Sequence, residues 1–296
     1  MKKSLKEKTA KLTERAVLGG LRAGFRLGEK VAPRRAAKAA AALWYRVPPA
    51  PPPAKRNRGL EAGTPLTIEV NGRPISAQAW GEGPTVLLVH GWSGWWQQMG
   101  VYVEPLVEAG HRVVAWDAPS HGDSPEGIFG KGRSGMPELK DAIHAVAEHV
   151  GGAPSLVAHS GGAMAAALAV ADGLPVERVV FVAPSVLIND MFALLSGRLG
   201  WGPRTVAQML ADLERDLGVK AADFDVPTVL AASGRELPPA LFIHDEGDTE
   251  TPAAGSDKLA KAWPGARVHR TTGLGHYKVL WDPAIVEEVV DFLRSR

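Results

Sequence analysis

Short apolar runs that alternate with longer segments constrain the fold of this chain more than any other feature. Five runs of strand length begin near residues 85, 111, 155, 178 and 240, and the chain between successive runs is long enough for a helix. Fully apolar strands joined by helices form parallel sheets that are covered on both faces. Functional sites in such sheets form beyond the carboxyl ends of the strands, so the residues directly after each run are the first candidates.

Three further strands extend this pattern. Residues 66–70 and 74–80 flank the dipeptide Asn71-Gly72, which is a strong hairpin signal. Another strand is expected at 266–271, before a last helix. We therefore predict an α/β fold with a mostly parallel, doubly wound sheet of about eight strands.

The first 58 residues differ from the rest in charge. They carry 16 Lys/Arg against 3 Asp/Glu, whereas residues 59–296 carry 18 against 29. Apolar spacing in the first 27 residues predicts an amphipathic helix, and its glycines predict that this helix is broken or depends on a packing partner. Pro33 suits the first position of a second, alanine-rich helix. We predict that residues 1–58 form a basic helical N-terminal extension with a Pro-rich linker, and residues 59–296 the main domain.

Such a charge division is typical of a basic arm that meets an anionic partner. The extension could fold over the acidic body, or make peripheral contact with an anionic membrane through residues 1–58. No nucleic acid is expected, because zinc-finger spacing is absent and aromatic residues are few. The chain has no cysteine, which excludes disulfides and a cysteine nucleophile, and no apolar run of about 18 residues. A cytoplasmic location is expected, with peripheral attachment at the inner face of the membrane as the variant.

The segment "SLVAHSGGAM", residues 155–164, ends a predicted strand and begins a helix around Ser160. Ala158 and Gly162 lie two residues to either side of the serine. Small neighbours allow a turn sharp enough to hold the hydroxyl out of the sheet, within reach of a base. Small residues also collect where a helix packs tightly on a sheet, so the segment alone fits a nucleophile and a packing site equally.

An acid and a histidine follow Ser160 in the order that a catalytic triad requires. "LFIHDEGDTETP" ends a strand with three acidic residues within four positions, and "TTGLGHYKVL" places His276 in a glycine-flanked loop. With these residues the chain resembles the α/β-hydrolase superfamily, in its serine-nucleophile, esterase-like and lipase-like members. The similarity covers about residues 64–296 and includes "VHGWSG" and "DAPSHGDS". Ala158 and Ser120 replace glycines that are usual in the family.

The resemblance implies an α/β-hydrolase fold with a short helical lid insert at about residues 185–239. It also implies that Ser160 attacks the substrate, that His276 takes its proton, and that an acid orients the imidazole. Asp248 is the expected acid. Asp245 is the alternative for that role, although it fits better as an acceptor for loop amides, and Asp190 is an outside alternative because some family members place the acid after the sixth strand.

The resemblance assigns the oxyanion donors to the backbone amides of Trp92 and Gly161. The side chains of Trp92 and Trp95 are expected to line the substrate pocket, with cover of the sheet edge as the alternative role. Three other histidines are interpreted as structural: His90, His121 and His159. A metal site at Asp117, His121 and Asp123 is conceivable, but its spacing matches no known motif, so no metal and no cofactor are expected.

The expected function is therefore that of a serine hydrolase. It would cleave a carboxylic ester or a thioester of an apolar small molecule or lipid through an acyl-enzyme. The alternative is a catalytically idle α/β-hydrolase fold that acts as a binding protein or a membrane-recruited scaffold. The same triad can also serve acyl transfer, amide cleavage or perhydrolysis, and the sequence does not separate these reactions.

Overall fold

The computed structural model describes residues 2–56 and 59–294 of the chain. These residues form two compact units. The helical unit contains the described residues up to Trp44 together with Ile188–Asp223, and the main unit contains Tyr45–Leu187 together with the described residues from Phe224 onward.

The main unit contains one eight-stranded sheet, in the order β1-β2-β4-β3-β5-β6-β7-β8. Strand β2 is antiparallel to both of its neighbours, and all other neighbouring pairs are parallel. The mostly parallel sheet of about eight strands predicted from the sequence is thus confirmed. The strands are β1 Thr64–Val70, β2 Arg73–Trp80, β3 Thr85–Val89, β4 Arg112–Trp116, β5 Ser155–His159, β6 Val179–Val182, β7 Ala240–Asp245 and β8 Arg267–Thr271.

The register of the central strands brings their carboxyl ends together. Val89 at the end of β3 pairs with Ala158 near the end of β5, and His159 pairs with Val182 at the end of β6. Val182 pairs in turn with Ile243 in β7. The loops that follow β3, β5, β6 and β7 therefore emerge side by side, over strands whose side chains are almost all buried.

In the main unit, helices join the strands and pack against the sheet. The segment after β3 begins with two 3₁₀ turns, at Trp96–Gln98 and Gly100–Tyr102, and Pro105 lies in the first turn of the α-helix that follows them. The helices are α1 Lys2–Val31, α2 Pro33–Trp44, α3 Pro53–Arg56, α4 Val103–Glu108, α5 Met136–Val150, α6 Gly161–Asp172, α7 Ile188–Leu199, α8 Pro203–Leu217, α9 Val226–Ser233, α10 Ala254–Ala262, α11 Gly275–Lys278 and α12 Pro283–Arg294.

The helical unit combines the two N-terminal helices with two helices of the predicted lid insert. Helix α1 contacts α2, α7 and α8, and α2 contacts α8. Despite its glycines, α1 runs unbroken, and Gly28 is where α2 approaches it most closely: a Cβ on Gly28 would lie 3.0 Å from the Cβ of Ala36. The expected packing partner of α1 is therefore present. Leu5 and Leu12, which belong to its predicted apolar pattern, lie outside the residues whose side chains are described.

The structure bears on two expectations about the domain boundary and about membrane-spanning segments. The boundary predicted between residues 58 and 59 stays a prediction, since residues 57 and 58 are outside the described part of the chain. Among the helices that are described, none is long and apolar enough to cross a membrane.

Candidate active site

Ser160 lies between β5 and α6, at the sharp turn that its small neighbours predict. Its φ of 54° falls in the left-handed region, a conformation that typically costs a residue with a side chain about 1–3 kcal/mol. The turn is held on both sides: the Ser160 amide donates to the carbonyl of Val182 at 3.1 Å, and the Ser160 carbonyl accepts the amide of Ser185 at 3.1 Å. The end of β6 thus fixes the backbone that presents the hydroxyl.

Glycines let the loop after β3 approach this turn. A Cβ on Gly162 would lie 2.3 Å from the carbonyl oxygen of His90, a separation that backbone atoms cannot relieve. A Cβ on Gly91 would lie 3.0 Å from the Cβ of Ser160. Glycine at these two positions is therefore required by close packing of the loop, whereas Ala158, fully buried in β5, fits where the family more often has glycine.

His276 is the second residue of the short helix α11, and its side chain is buried. Its Nε2 lies 3.0 Å from the Oγ of Ser160, and its Nδ1 lies 2.7 Å from the Oδ2 of Asp248. A carboxylate can only accept, so the ring carries its proton on Nδ1 and donates it to Asp248. Nε2 is then an acceptor aimed at the Ser160 hydroxyl. Serine, histidine and aspartate form one hydrogen-bonded line, in which the hydroxyl can lose its proton to the imidazole.

The carboxylate of Asp248 is completely buried and surrounded by donors. Oδ1 accepts the amides of Glu250 at 2.8 Å and Thr251 at 3.0 Å. Burial raises the pKa of Asp248, but the hydrogen bonds from His244, His276 and Thr251 outweigh burial and hold the pKa well below its usual range. Asp248 therefore stays ionised beside the imidazole.

The two alternative acids, Asp245 and Asp190, belong to other parts of the described structure. Asp245, the last residue of β7, accepts the amide of Gly247, the hydroxyl of Thr271 and the amide of Leu274, each at 2.9 Å. No contact between its carboxylate and the His276 ring occurs in the described structure. Asp190 lies in the first turn of α7, in the helical unit. Of the two aspartates at and after the end of β7, the structure brings Asp248 to the histidine.

The two expected oxyanion donors are neighbours. Gly161 is the first residue of α6, and first-turn amides have no partner within their own helix. A Cβ on Gly161 would lie 3.4 Å from the backbone nitrogen of Trp92, so the two main chains run side by side next to Ser160. Neither amide donates to a protein acceptor within the described residues.

Three buried histidines surround the site and are engaged in structural hydrogen bonds. His90 Nε2 accepts the Ala118 amide at 3.0 Å, which leaves Nδ1 to donate to the Gly91 carbonyl at 2.7 Å. His121 donates to the Pro119 carbonyl at 2.9 Å. Burial lowers the pKa of His90 to about 3 and that of His121 to about 4, so both are neutral.

His159 has a closer relation to the site than the sequence suggested. Its Nε2 lies 3.1 Å from the backbone carbonyl of His276, and the two rings are 4.8 Å apart. Burial, with the neighbouring His276, lowers the pKa of His159 to about 3. The ring therefore donates as a neutral imidazole and fixes the backbone that carries His276.

Two further residues at the site were not found from the sequence. The Thr251 hydroxyl lies 2.9 Å from Asp248 Oδ2 and 3.2 Å from His276 Nδ1. His244, in β7, is fully buried, with Nε2 3.3 Å from Asp248 Oδ2 and Nδ1 2.7 Å from the hydroxyl of Ser256. The only sequence signal for Thr251 was its place three residues after the acid, a position whose amide an aspartate often accepts.

The tryptophans after β3 contact the conceivable metal ligands, and the Trp92 ring lies 5.4 Å from that of His121. Trp92 and Trp95 are partly exposed, and Trp96 is buried with its ring 5.3 Å from that of Trp80. A pocket role for Trp92 and Trp95 stays a prediction. Asp117 accepts the amides of Trp96 and Asp123, each at 2.7 Å. Within the described part of the chain, no three His, Cys, Asp or Glu side chains are grouped so as to hold a metal ion.

Comparison with known proteins agrees with this architecture. Residues 86–291 match the model of the alpha/beta hydrolase family. The AB hydrolase superfamily protein YfhM of Bacillus subtilis is 37% identical over 65 residues, which make up 21% of this chain and only 23% of that relative's length.

Two solved structures illustrate the similarity of fold. An esterase from Exiguobacterium antarcticum has a TM-score of 0.57 at 17% identity and covers 79% of this chain and 100% of its own. A bromoperoxidase from Bacillus anthracis has a TM-score of 0.55 at 22% identity, with 78% and 100% covered. At these identities the similarity shows a shared fold and says nothing about the substrate.

Proposed function

Because the chain belongs to the alpha/beta hydrolase family, we propose that it hydrolyses a carboxylic ester of an apolar small molecule or lipid, with Ser160 as the nucleophile. A thioester is the second substrate class. The observation that carries the proposal is the line of hydrogen bonds from the Ser160 hydroxyl through His276 to Asp248, at 3.0 Å and 2.7 Å. Nucleophilic catalysis needs a base within hydrogen-bond reach of the nucleophile, and a third group that orients the base.

In the first half of the reaction, Ser160 Oγ attacks the substrate carbonyl while its proton moves to His276 Nε2. The carbonyl oxygen becomes negatively charged, and the amides of Trp92 and Gly161 stabilise it. When the tetrahedral intermediate collapses, the bond to the leaving alcohol or thiol breaks, and His276 returns the proton to that group. The acyl group remains on Ser160.

In the second half, water takes the place of the alcohol. His276 removes a proton from the water as it attacks the acyl carbon, the bond to Ser160 Oγ breaks, and the serine recovers its proton from His276. Asp248 stays ionised in both halves. It holds the imidazole in the tautomer with the proton on Nδ1 and stabilises the imidazolium that forms twice in each cycle.

The preference for an apolar substrate rests on the tryptophans beside the oxyanion loop. Trp92 and Trp95 offer large apolar surfaces within three residues of the proposed donor. Binding sites for small molecules are lined predominantly by such side chains. The lid role of the insert at about 185–239 and a cytoplasmic location are parts of the same proposal.

The test is hydrolysis of p-nitrophenyl esters graded in acyl length, together with an acyl-coenzyme A thioester, by the wild-type chain and Ser160→Ala. We expect turnover by the wild type, a preference for longer acyl groups, and loss of turnover in the variant. A matched control is Ser120→Ala, because Ser120 is also left-handed, with φ of 63°, and its hydroxyl contacts the Gly130 carbonyl. Turnover that survives in a folded Ser160→Ala chain would overturn the proposal.

A further inference from the structure

Polar contacts join the N-terminal helix α1 to α8, a helix of the predicted lid insert. Gly202, the residue before α8, has no side chain with which to cap that helix. The Glu29 carboxylate of α1 supplies the cap: it accepts the amides of Arg204 at 2.7 Å and Thr205 at 2.8 Å, and the Thr205 hydroxyl at 2.6 Å. Four orphan amides begin every helix, so such a cap stabilises α8 directly.

Aromatic contacts fix the same arrangement. Phe25 of α1 is buried with its ring 6.0 Å from that of Trp201, and Trp44 of α2 stacks on Phe192 of α7 at 4.2 Å. One face of α1, which includes Phe25, Gly28 and Glu29, is thus occupied by packing within the helical unit. The basic extension is part of this unit and not a separate tail.

The face of α1 beside the packed one is apolar and exposed. Val17, Leu21, Leu27 and Val31 are exposed to 57%, 37%, 62% and 71%. Val17, Leu27 and Val31 lie within about 80° of one another around the helix, with Gly20 and Gly24 between them, and Leu21 lies at the edge of this group, next to the packed face. Nine large apolar side chains are exposed in the described part of the chain, and these four occupy a single helix. We call these four side chains the α1 stripe.

Exposed basic residues border the α1 stripe. Lys30 is three positions from Leu27 and therefore lies beside it, and Arg26 lies further round the same side. The first 58 residues as a whole carry 16 basic against 3 acidic side chains. A helix with an apolar side and a strongly basic side is the form that lies in the interface of an anionic bilayer.

We propose that the α1 stripe is a docking surface for an anionic lipid bilayer, with its apolar residues among the acyl chains and its basic border at the headgroups. A second copy of this chain fits less well, because two such faces would bring two strongly basic extensions together. A nucleic acid would need the charges but not the four apolar side chains. Docking does not depend on the proposed function. If that function is also correct, docking places the lid helices α7 and α8 at the lipid surface.

The test is sedimentation of the full chain with vesicles, either of phosphatidylcholine alone or of phosphatidylcholine and phosphatidylglycerol in equal parts. We expect binding to the anionic vesicles and little to the neutral ones. Each basic residue near an anionic surface contributes about 1 kcal/mol, so Lys30→Gln should weaken partitioning about fivefold. Leu27→Glu should weaken it by about tenfold or more, since it removes an inserting side chain and adds repulsion.

The matched control is Ile128→Glu, because Ile128 in the main unit is exposed to 57%, close to Leu27. It should bind like the wild type, and a thermal melt of each variant shows whether it is folded. Equal binding of Leu27→Glu and Ile128→Glu, or equal binding of the wild type to neutral and anionic vesicles, would overturn the proposal. A wild-type dimer that Leu27→Glu dissociates, without vesicle binding, would assign the stripe to a second copy and overturn it as well. Ester hydrolysis, measured separately, tests the proposed function.

Discussion

Single residues determine which of two aspartates faces the histidine. Asp245 and Asp248 are three positions apart, and the family resemblance favoured Asp248 without excluding the other. In the structure, Asp245 accepts donors from its own loop and from the β8 end, whereas Asp248 contacts His276. The choice therefore rests on where the turn after β7 directs each carboxylate, which depends on contacts with distant residues such as Leu274.

Substitution of Asp248 should mainly reduce activity, whereas substitution of Asp245 should mainly reduce stability. Asp248→Asn should lower kcat by about 10⁴-fold, because an amide favours the wrong imidazole tautomer. Asp245→Asn should lose part of its loop hydrogen bonds, reduce the free energy of unfolding by about 1–3 kcal/mol, and keep far more of its turnover. Urea denaturation and ester hydrolysis measure the two quantities. An Asp245→Asn variant that is as inactive as Asp248→Asn while folded would argue against this assignment.

Thr251 should act through Asp248 as a positioning residue. Thr251→Val keeps the shape but removes the hydroxyl that donates to Asp248 Oδ2, and a hydrogen bond to a charged group contributes about 1.5–3 kcal/mol. We expect kcat/KM for a short ester to fall about tenfold with KM nearly unchanged. The neighbouring Thr249 is exposed, so Thr249→Val is the control. Equal activities of the two valine variants would exclude the role.

The strands could be predicted from the sequence far better than the connections between them. Apolar runs indicated the strands that are buried on both faces, because such burial leaves a direct record in composition, and the Asn71-Gly72 turn indicated β1 and β2. The apolar spacing of the long insert predicted helices, but it did not predict which residues pack against them. Glu29 caps α8 from 175 residues away in sequence, a contact that no local pattern contains.

Removal of that cap should loosen the start of α8. Glu29→Ala leaves the amides of Arg204 and Thr205 without their acceptor, and the loss of a cap costs about 1 kcal/mol. Hydrogen exchange of a peptide containing these two residues should become faster. Asp216→Ala, at the other end of α8 and exposed, should leave that exchange unchanged. Unchanged exchange in Glu29→Ala would show that the carboxylate does not cap the helix.

At the scale of the whole molecule, buried histidines should make stability depend on pH. Burial lowers the pKa of His90 and His159 to about 3 and that of His121 to about 4, from the ordinary value of about 6.5 for histidine. The unfolded chain therefore binds more protons than the folded chain below pH 6.5. The stability that neutral histidines contribute is complete above that pH and is lost progressively as the pH falls toward 3.

Two buried carboxyls, Asp117 and Glu138, oppose this trend, because burial also raises the pKa of Glu138. Burial raises the pKa of Asp117 to about 6 from 3.8, so its contribution falls as the pH rises from about 4 to 6. Three histidines outweigh these two carboxyls, and we expect the free energy of unfolding from urea titrations to be lower at pH 5 than at pH 7.5. His159→Gln should reduce this difference. A protein equally stable at both values would contradict the neutral state of these histidines.

Labelling of Ser160 by a fluorophosphonate tests the proposed catalytic role most directly, because the probe requires an activated serine and no knowledge of the substrate. The serine oxygen bonds to phosphorus and fluoride leaves, so the intact mass rises by one phosphonyl group. We expect one adduct on the wild-type chain and on Ser120→Ala, and none on Ser160→Ala. A folded wild-type chain that acquires no adduct, or a Ser160→Ala chain that still does, would contradict the role of Ser160, and the former result would favour a catalytically idle fold that binds its ligand.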